Sequence, residues 1–287
     1  MNGAVQHSGF QSYRCAPCSP TRRTGSGHDI GFMPISQTVP SPPAVPSLSL
    51  LLAEPFRAMF DAMASHVTAQ PSATGDGHPV IVYPGLGAGS MNTSQMRIFL
   101  KRAGFEVSDW GGGVNIGHDG EFDAWLDGLA RNVRTLQARH DGRKVSLVGW
   151  SLGGIFAREI ARLAPDAVRS VITLATPFAA LGENHAGTIY KLLNGDASQF
   201  TPELQSRLRE SPPVPTTSIY SKSDGIVCWR GCIEKRSDRS ENVEVGASHL
   251  GMVSHPDVLR IIANRLAQPE GRWKPLRRAE RLGQARR

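Results

Sequence analysis

Residues 144–163, KVSLVGWSLGGIFAREIARL, restrict the possible folds of this chain more than any other stretch. Val145 to Val148 is a short apolar, β-branched-rich run that suits a buried strand. From Leu152 onward apolar residues recur at helical spacing: Leu152, Ile155, Phe156, Ile160 and Leu163. Between the two lies Gly149-Trp150-Ser151-Leu152-Gly153, a strand passing straight into a helix with a serine at the apex. The small residues let strand and helix approach closely. The first turn of the helix offers free N–H groups to whatever the serine meets. A G-x-S-x-G pattern alone is weak, because an ordinary strand–glycine–helix junction fits it too. The surroundings decide.

Those surroundings alternate strands with helices. Val80 to Tyr83 reads as the first core strand, followed by the turn Pro84-Gly85-Leu86-Gly87-Ala88-Gly89. A helix capped near Asn92 or Thr93 carries Met96, Phe99 and Leu100 on one face and stops at Gly104. Phe105 to Trp110 is a second strand. A helix over 121–140 bears the stripe Phe122, Trp125, Leu126, Leu129, Val133 and Leu136. Strands follow at Val168 to Ala175, Thr216 to Tyr220 and Val243 to Val245, and a helix over 256–266 closes the series. This alternation predicts an α/β fold: a mostly parallel six-stranded sheet with helices on both faces. Residues 178–213 break the pattern with short amphipathic pieces near 185–194 and 202–210, as a small helical lid insertion above the strand ends would.

Outside residues 79–267 the reading changes. Residues 1–46 are rich in Ser, Pro, Gly and Gln and are expected to be a disordered extension. Residues 47–78 read as a helix with apolar positions Leu51, Leu52, Phe56, Met59, Phe60 and Met63, packed on the domain or on a partner, followed by a linker. Residues 268–287 form a basic tail. The net charge of +7 sits at the ends: 272–287 carry +6 and 1–46 carry +2, which leaves −1 for the rest. A nearly neutral folded part argues against nucleic acid as a partner. No run reaches the ~20 apolar residues of a membrane span. No secretory signal is apparent, so a cytoplasmic location is the expectation.

The four cysteines fall in two close pairs. Cys15 and Cys18 lack the second pair that a structural zinc site needs and the helix start that redox chemistry needs. Cys228 and Cys232 read either as neighbouring thiols or as a disulfide in an oxidising compartment. No metal or organic cofactor is implied.

A serine hydroxyl needs a base to become a nucleophile, and the base needs a carboxylate to orient it. In parallel sheets such partners follow the carboxyl ends of strands. Asp224, in Ser221-Lys222-Ser223-Asp224-Gly225, follows the strand ending at Tyr220. His249, in Ala247-Ser248-His249-Leu250, follows the strand ending at Val245. The chain order is Ser, Asp, His. Asp-Gly also shapes ordinary turns, and His255 and Asp238 compete for the two roles. A tetrahedral oxyanion would need two N–H donors, and the amides of Leu152 and Leu86 are placed for it. Trp150 and Phe178 are candidates to line a substrate pocket.

Taken together, the PGLGAG turn, the GWSLGG elbow, SIYSKSDGIV and ASHLGM resemble the α/β-hydrolase superfamily, in particular bacterial esterase- and lipase-like members, over about Pro79 to Leu266. The resemblance implies a triad of Ser151, Asp224 and His249 with Leu86 and Leu152 as the oxyanion hole. It also implies an esterase of the EC 3.1.1 type acting on a small-molecule ester through an acyl-enzyme. Thioesterase, amidase or acyltransferase chemistry would use the same residues. Two departures stand out. Tyr83-Pro84-Gly85 replaces the His-Gly of many lipases, and no strands precede residue 79, which favours a minimal six-stranded version. The rival of another class is a dinucleotide-binding reductase, built on Gly85, Gly87 and Gly89 with Asp109 as a ribose acid. Ser90 stands where its third glycine belongs, and that reading leaves Ser151, Asp224 and His249 without a purpose.

Overall fold

The segments expected to be extended form six strands: β1 (Pro79–Tyr83), β2 (Glu106–Asp109), β3 (Val145–Trp150), β4 (Val168–Leu174), β5 (Thr216–Tyr220) and β6 (Ser240–Glu244). Every pairing is parallel, in the order β2-β1-β3-β4-β5-β6. Among the described residues six helices accompany them: α1 (Leu48–Thr68), α2 (Ser94–Arg102), α3 (Phe122–Arg139), α4 (Leu152–Leu163), α5 (Pro202–Leu208) and α6 (Pro256–Leu266). This computed structural model describes residues 45–68, 71, 73–118, 120–179 and 202–276, all within the unit Ser41–Arg287. Residues 1–44 of the expected N-terminal extension, with Cys15 and Cys18, the amphipathic piece near 185–194 and the end of the basic tail lie outside the described residues.

The period of two along each strand builds two apolar layers. β1 sends Val80 and Val82 to one side, where Met96, Phe99 and Leu100 of α2 meet Val258, Leu259 and Ile262 of α6. It sends Ile81 and Tyr83 to the other, against Leu126 and Val133 of α3 and Phe156 and Ile160 of α4. Burying each such large side chain contributes about 1.5–3 kcal/mol. The sheet is therefore covered on both faces, as its continuous apolar strands require. No described helix is long and apolar enough to cross a membrane.

Two elements differ from the sequence reading. β6 begins at Ser240 rather than Val243. Its first residues are polar but have partners: Glu241 is buried and accepts hydrogen bonds from the Thr217 hydroxyl at 2.9 Å, Arg265 at 3.0 Å and the Leu276 amide at 2.7 Å. Satisfied polar groups can occupy a strand interior without betraying it by hydropathy. The second difference is α1, whose apolar positions Leu52, Phe56, Met59, Phe60 and Met63 are exposed while Glu54 is buried. The helix lies on the domain by its polar side.

Candidate active site

β3 enters α4 through Ser151, which has φ 54° and ψ −121°. A positive φ costs a non-glycine residue about 1–3 kcal/mol, and close packing enforces it here. A side chain at Gly149 would run into the Gly153 carbonyl and the Gly154 backbone, and one at Gly153 would strike the carbonyls of Tyr83 and Pro84. The Ser151 amide is fixed by the Leu174 carbonyl at 2.8 Å. The result is a serine on a sharp turn at the carboxyl end of the central strand, 8% exposed.

Asp224 and His249 follow β5 and β6 and meet each other. The His249 Nδ1–H donates to Asp224 Oδ2 at 2.8 Å. The other carboxylate oxygen accepts the amides of Ile226 and Val227, both at 2.8 Å. An ionised carboxylate only accepts, so Nδ1 carries the proton and Nε2 of the neutral ring is left as the basic nitrogen. Both side chains are buried. Burial alone would lower the imidazole pKa, but the charge and hydrogen bond of Asp224, with the charge of Glu54, outweigh it and hold His249 above its ordinary value of 6.5. Among the described residues the Ser151 hydroxyl makes no hydrogen bond to the imidazole or to any other group.

The turn after β1 lies directly against the serine. A side chain at Gly85 would press on Ser151 Cβ and the Trp150 ring, each at 3.2 Å. Within this turn the amides of Gly87 and Ala88 bond to the carbonyls of Asn115 and Gly85, and that of Gly89 bonds to Asn92 Oδ1. Among the described residues the Leu86 and Leu152 amides donate to nothing. Asn115, which the sequence reading passed over, holds the turn in place: it is fully buried, and its side chain donates to the Pro84 carbonyl at 2.7 Å. Asn-Ile-Gly in an irregular stretch carries no signal from which that role could be read.

The competing residues have other partners. His255 caps α6, its Nδ1 accepting the Asp257 amide at 3.2 Å, with Asp61 3.9 Å from its Nε2. Asp238 is exposed just before β6, at the opposite end of the sheet from Ser151. Asp109 accepts the Gly111 amide at 3.0 Å, and α2 starts only at Ser94. With the Gly87 and Gly89 amides already committed, the glycine turn has no cradle for a pyrophosphate. Trp150 packs in the core, its indole N–H donating to the His249 carbonyl at 3.1 Å. Phe178 is buried beside Ile155, Leu204 and Leu208, with the Arg158 guanidinium 3.7 Å above its ring. Cys228 and Cys232 are buried thiols. A cavity of about 350 Å³ lined by Lys144, Val168, Arg169, Arg239 and Trp273 lies at the amino ends of the strands, away from the end where parallel sheets bind ligands.

The expected site also receives a contribution from α1. A side chain at Gly225 would strike the Leu50 backbone at 2.5 Å, and one at Gly251 would run into the Asp61 carboxylate. Along the same side of α1, Glu54, Arg57 and Asp61 all bond to the loops that carry Asp224 and His249.

A model of the alpha/beta hydrolase fold family matches residues 79–192. No curated protein matches the sequence. Among solved structures, Aspergillus fumigatus lipase B is similar with a TM-score of 0.52 at 17% identity, over 72% of this chain and 57% of the lipase. This chain thus spans less than two thirds of that protein. Mature Bacillus licheniformis lipase BlEst2 gives a TM-score of 0.50 at 17% identity, over 69% of this chain and 94% of the lipase. At such identities the likeness is one of fold. The parallel strand order with the serine turn after β3, joined to these matches, identifies the chain as a protein of the α/β-hydrolase fold.

Proposed function

We propose that the protein is a serine hydrolase that cleaves carboxylic esters of small molecules through Ser151, His249 and Asp224. The observation that carries the reading is the buried Asp224–His249 pair, its Nδ1–Oδ2 bond 2.8 Å long, on loops that end at the same edge of the sheet as the strained Ser151 turn. In the reaction His249 Nε2 takes the Ser151 proton as Oγ attacks the ester carbonyl. The tetrahedral oxyanion is received by the amides of Leu86 and Leu152. His249 then returns the proton to the departing alkoxide, leaving an acyl-serine. Water repeats the sequence, giving the carboxylic acid and free Ser151. Asp224 stays ionised throughout and stabilises the imidazolium. The serine–imidazole hydrogen bond forms with substrate in place, as such bonds often tighten only in the Michaelis complex.

The ester reading is supported by the lipases among the structures of similar fold. Thioester cleavage or acyl transfer would run on the same groups, and a panel of nitrophenyl esters and thioesters of graded acyl length separates them. A fluorophosphonate probe is expected to label Ser151, with labelling lost in Ser151→Ala and in His249→Ala but kept in His255→Ala. Undiminished labelling of Ser151→Ala overturns the proposal.

A further inference from the structure

Glu54 on α1 is 1% exposed, yet no catalytic role in the reaction above falls to its carboxylate. A charge taken out of water is tolerated only where hydrogen bonds or opposite charges replace the solvent. Here the replacement is main chain. Oε1 accepts the amide of Gly225 at 2.7 Å and that of His249 at 3.0 Å, and Oε2 accepts that of Leu250 at 3.0 Å. Arg57 lies one turn away, 3.8 Å from Oε1. One carboxylate thus bonds to residues next to Asp224 and to His249 itself, across 25 residues of sequence.

We propose that Glu54 is a positioning residue for the Asp224–His249 pair: its carboxylate bridges the two loops through the amides of Gly225, His249 and Leu250. The proposal rests on the triad reading given above. The neighbours on the same side of α1 extend the fastening. Arg57 donates to the Ser223 carbonyl, to Ser223 Oγ at 2.8 Å and to the Gly246 carbonyl at 3.2 Å. Asp61 accepts the Ser248 amide at 3.2 Å and its hydroxyl at 2.9 Å. Residues 54, 57 and 61 share a helix face by their spacing. Residues 223–225 and 246–250 are therefore held from outside the sheet, by a helix that precedes the region matching the family model. Without Glu54, two buried N–H groups and the half-buried one of Leu250 would lose their acceptor, and buried donors left unpaired drive local rearrangement.

Position and charge can be tested separately. Glu54→Gln nearly preserves shape but removes the charge and sets an NH2 against one of the three amides. Glu54→Asp keeps the charge but shortens the arm by a methylene. The readouts are kcat and KM per fluorophosphonate-titrated active site, the acid limb of kcat/KM, and the His249 ring titration followed by NMR. Both variants are expected to lose on the order of 10- to 100-fold in kcat per site, the scale of a misplacement near 1 Å, with KM within about twofold. In Glu54→Gln the acid limb and the NMR midpoint are expected to move to lower pH, because the Glu54 charge helps to hold the imidazole proton. In Glu54→Asp both are expected to stay near the wild-type pH. Leu52→Ser, on the exposed side of the same helix, serves as the unaffected control. Wild-type kcat per site in both variants, or a wild-type His249 midpoint in Glu54→Gln, overturns the proposal. So does loss of the fold in both, which would make Glu54 a folding determinant instead. The NMR midpoint reads the Glu54–His249 coupling even if no ester is turned over, so failure of this inference and failure of the hydrolase reading are distinguishable.

Discussion

α4 begins at Ser151 and α1 braces the loops that carry Asp224 and His249, and the two helices are held to the molecule in opposite ways. α4 buries Ile155, Phe156 and Ile160 between the sheet and its neighbours. α1 leaves Leu52, Phe56, Phe60 and Met63 in solvent and turns Glu54, Arg57 and Asp61 toward the domain. Apolar burial is non-directional and scales with area, so it makes α4 stable in place without fixing any single atom of the loops above. Hydrogen bonds to named amides are directional. They suit a helix that aligns two loops relative to each other. A helix's apolar stripe is thus not always its docking face.

Substitutions can break this contrast, beginning at the apex of α4. Ser151→Ala is expected to lower kcat by about 10⁴-fold or more, measured on nitrophenyl esters, with the melting temperature preserved or raised because alanine gives up nothing else there. Phe156→Ala, at a side chain 1% exposed, is expected to cost about 3–5 kcal/mol in urea unfolding, the sum of lost transfer energy and a cavity. Phe56→Ala on α1, at a side chain 67% exposed, is expected to stay within about 0.5 kcal/mol of wild type. Equal destabilisation by the two would mean that the α1 stripe is covered after all, and the contrast would fail.

Two buried histidines sharpen the comparison through pH. His249 is held above 6.5: burial opposes its charge, but Asp224 and Glu54 together win. The acid limb of kcat/KM is therefore expected above pH 6.5, since the base must be neutral to accept the serine proton. For stability the sign is the reverse. A raised folded-state pKa contributes stabilisation that is complete below 6.5 and is lost as pH rises through the folded value. His78, at the amino end of the sheet, has its pKa lowered to about 4, first by burial. Its carboxylate partner Asp76, 2.6 Å from Nδ1, is shared with Arg169 at 2.7 Å and Arg143 at 3.3 Å. Stability contributed by a neutral His78 is expected to fall as pH drops from 6.5 toward 4, and His78→Asn should flatten that limb in urea titrations. The smallest expected effect is that of His255→Ala, whose ring caps α6 and has Asp61 3.9 Å from its Nε2. It should leave kcat/KM unchanged and cost about 0.5–2 kcal/mol at most.

β1, β3 and β4 were legible because each is an apolar run that a two-sided sheet demands, and β6 is displaced where Glu241 hides its burial behind Arg265 and Thr217. The meeting of Asp224 and His249 was legible because each directly follows a strand, and parallel strands collect their carboxyl ends at one edge. Asn115 and Glu54 left no comparable trace. An acceptor aimed at backbone amides can be any carboxylate or amide side chain, at any distance along the chain, so no spacing announces it.

Local pattern determined the elements, their order and the serine at the strand-to-helix turn, because strand and helix periodicities are written residue by residue. The tertiary structure decided which face of α1 meets the domain, which of two histidines receives the carboxylate, and which amides stay unbonded. Those outcomes depend on where groups distant in sequence satisfy one another once water is excluded, and exclusion of water is a property of the packed molecule.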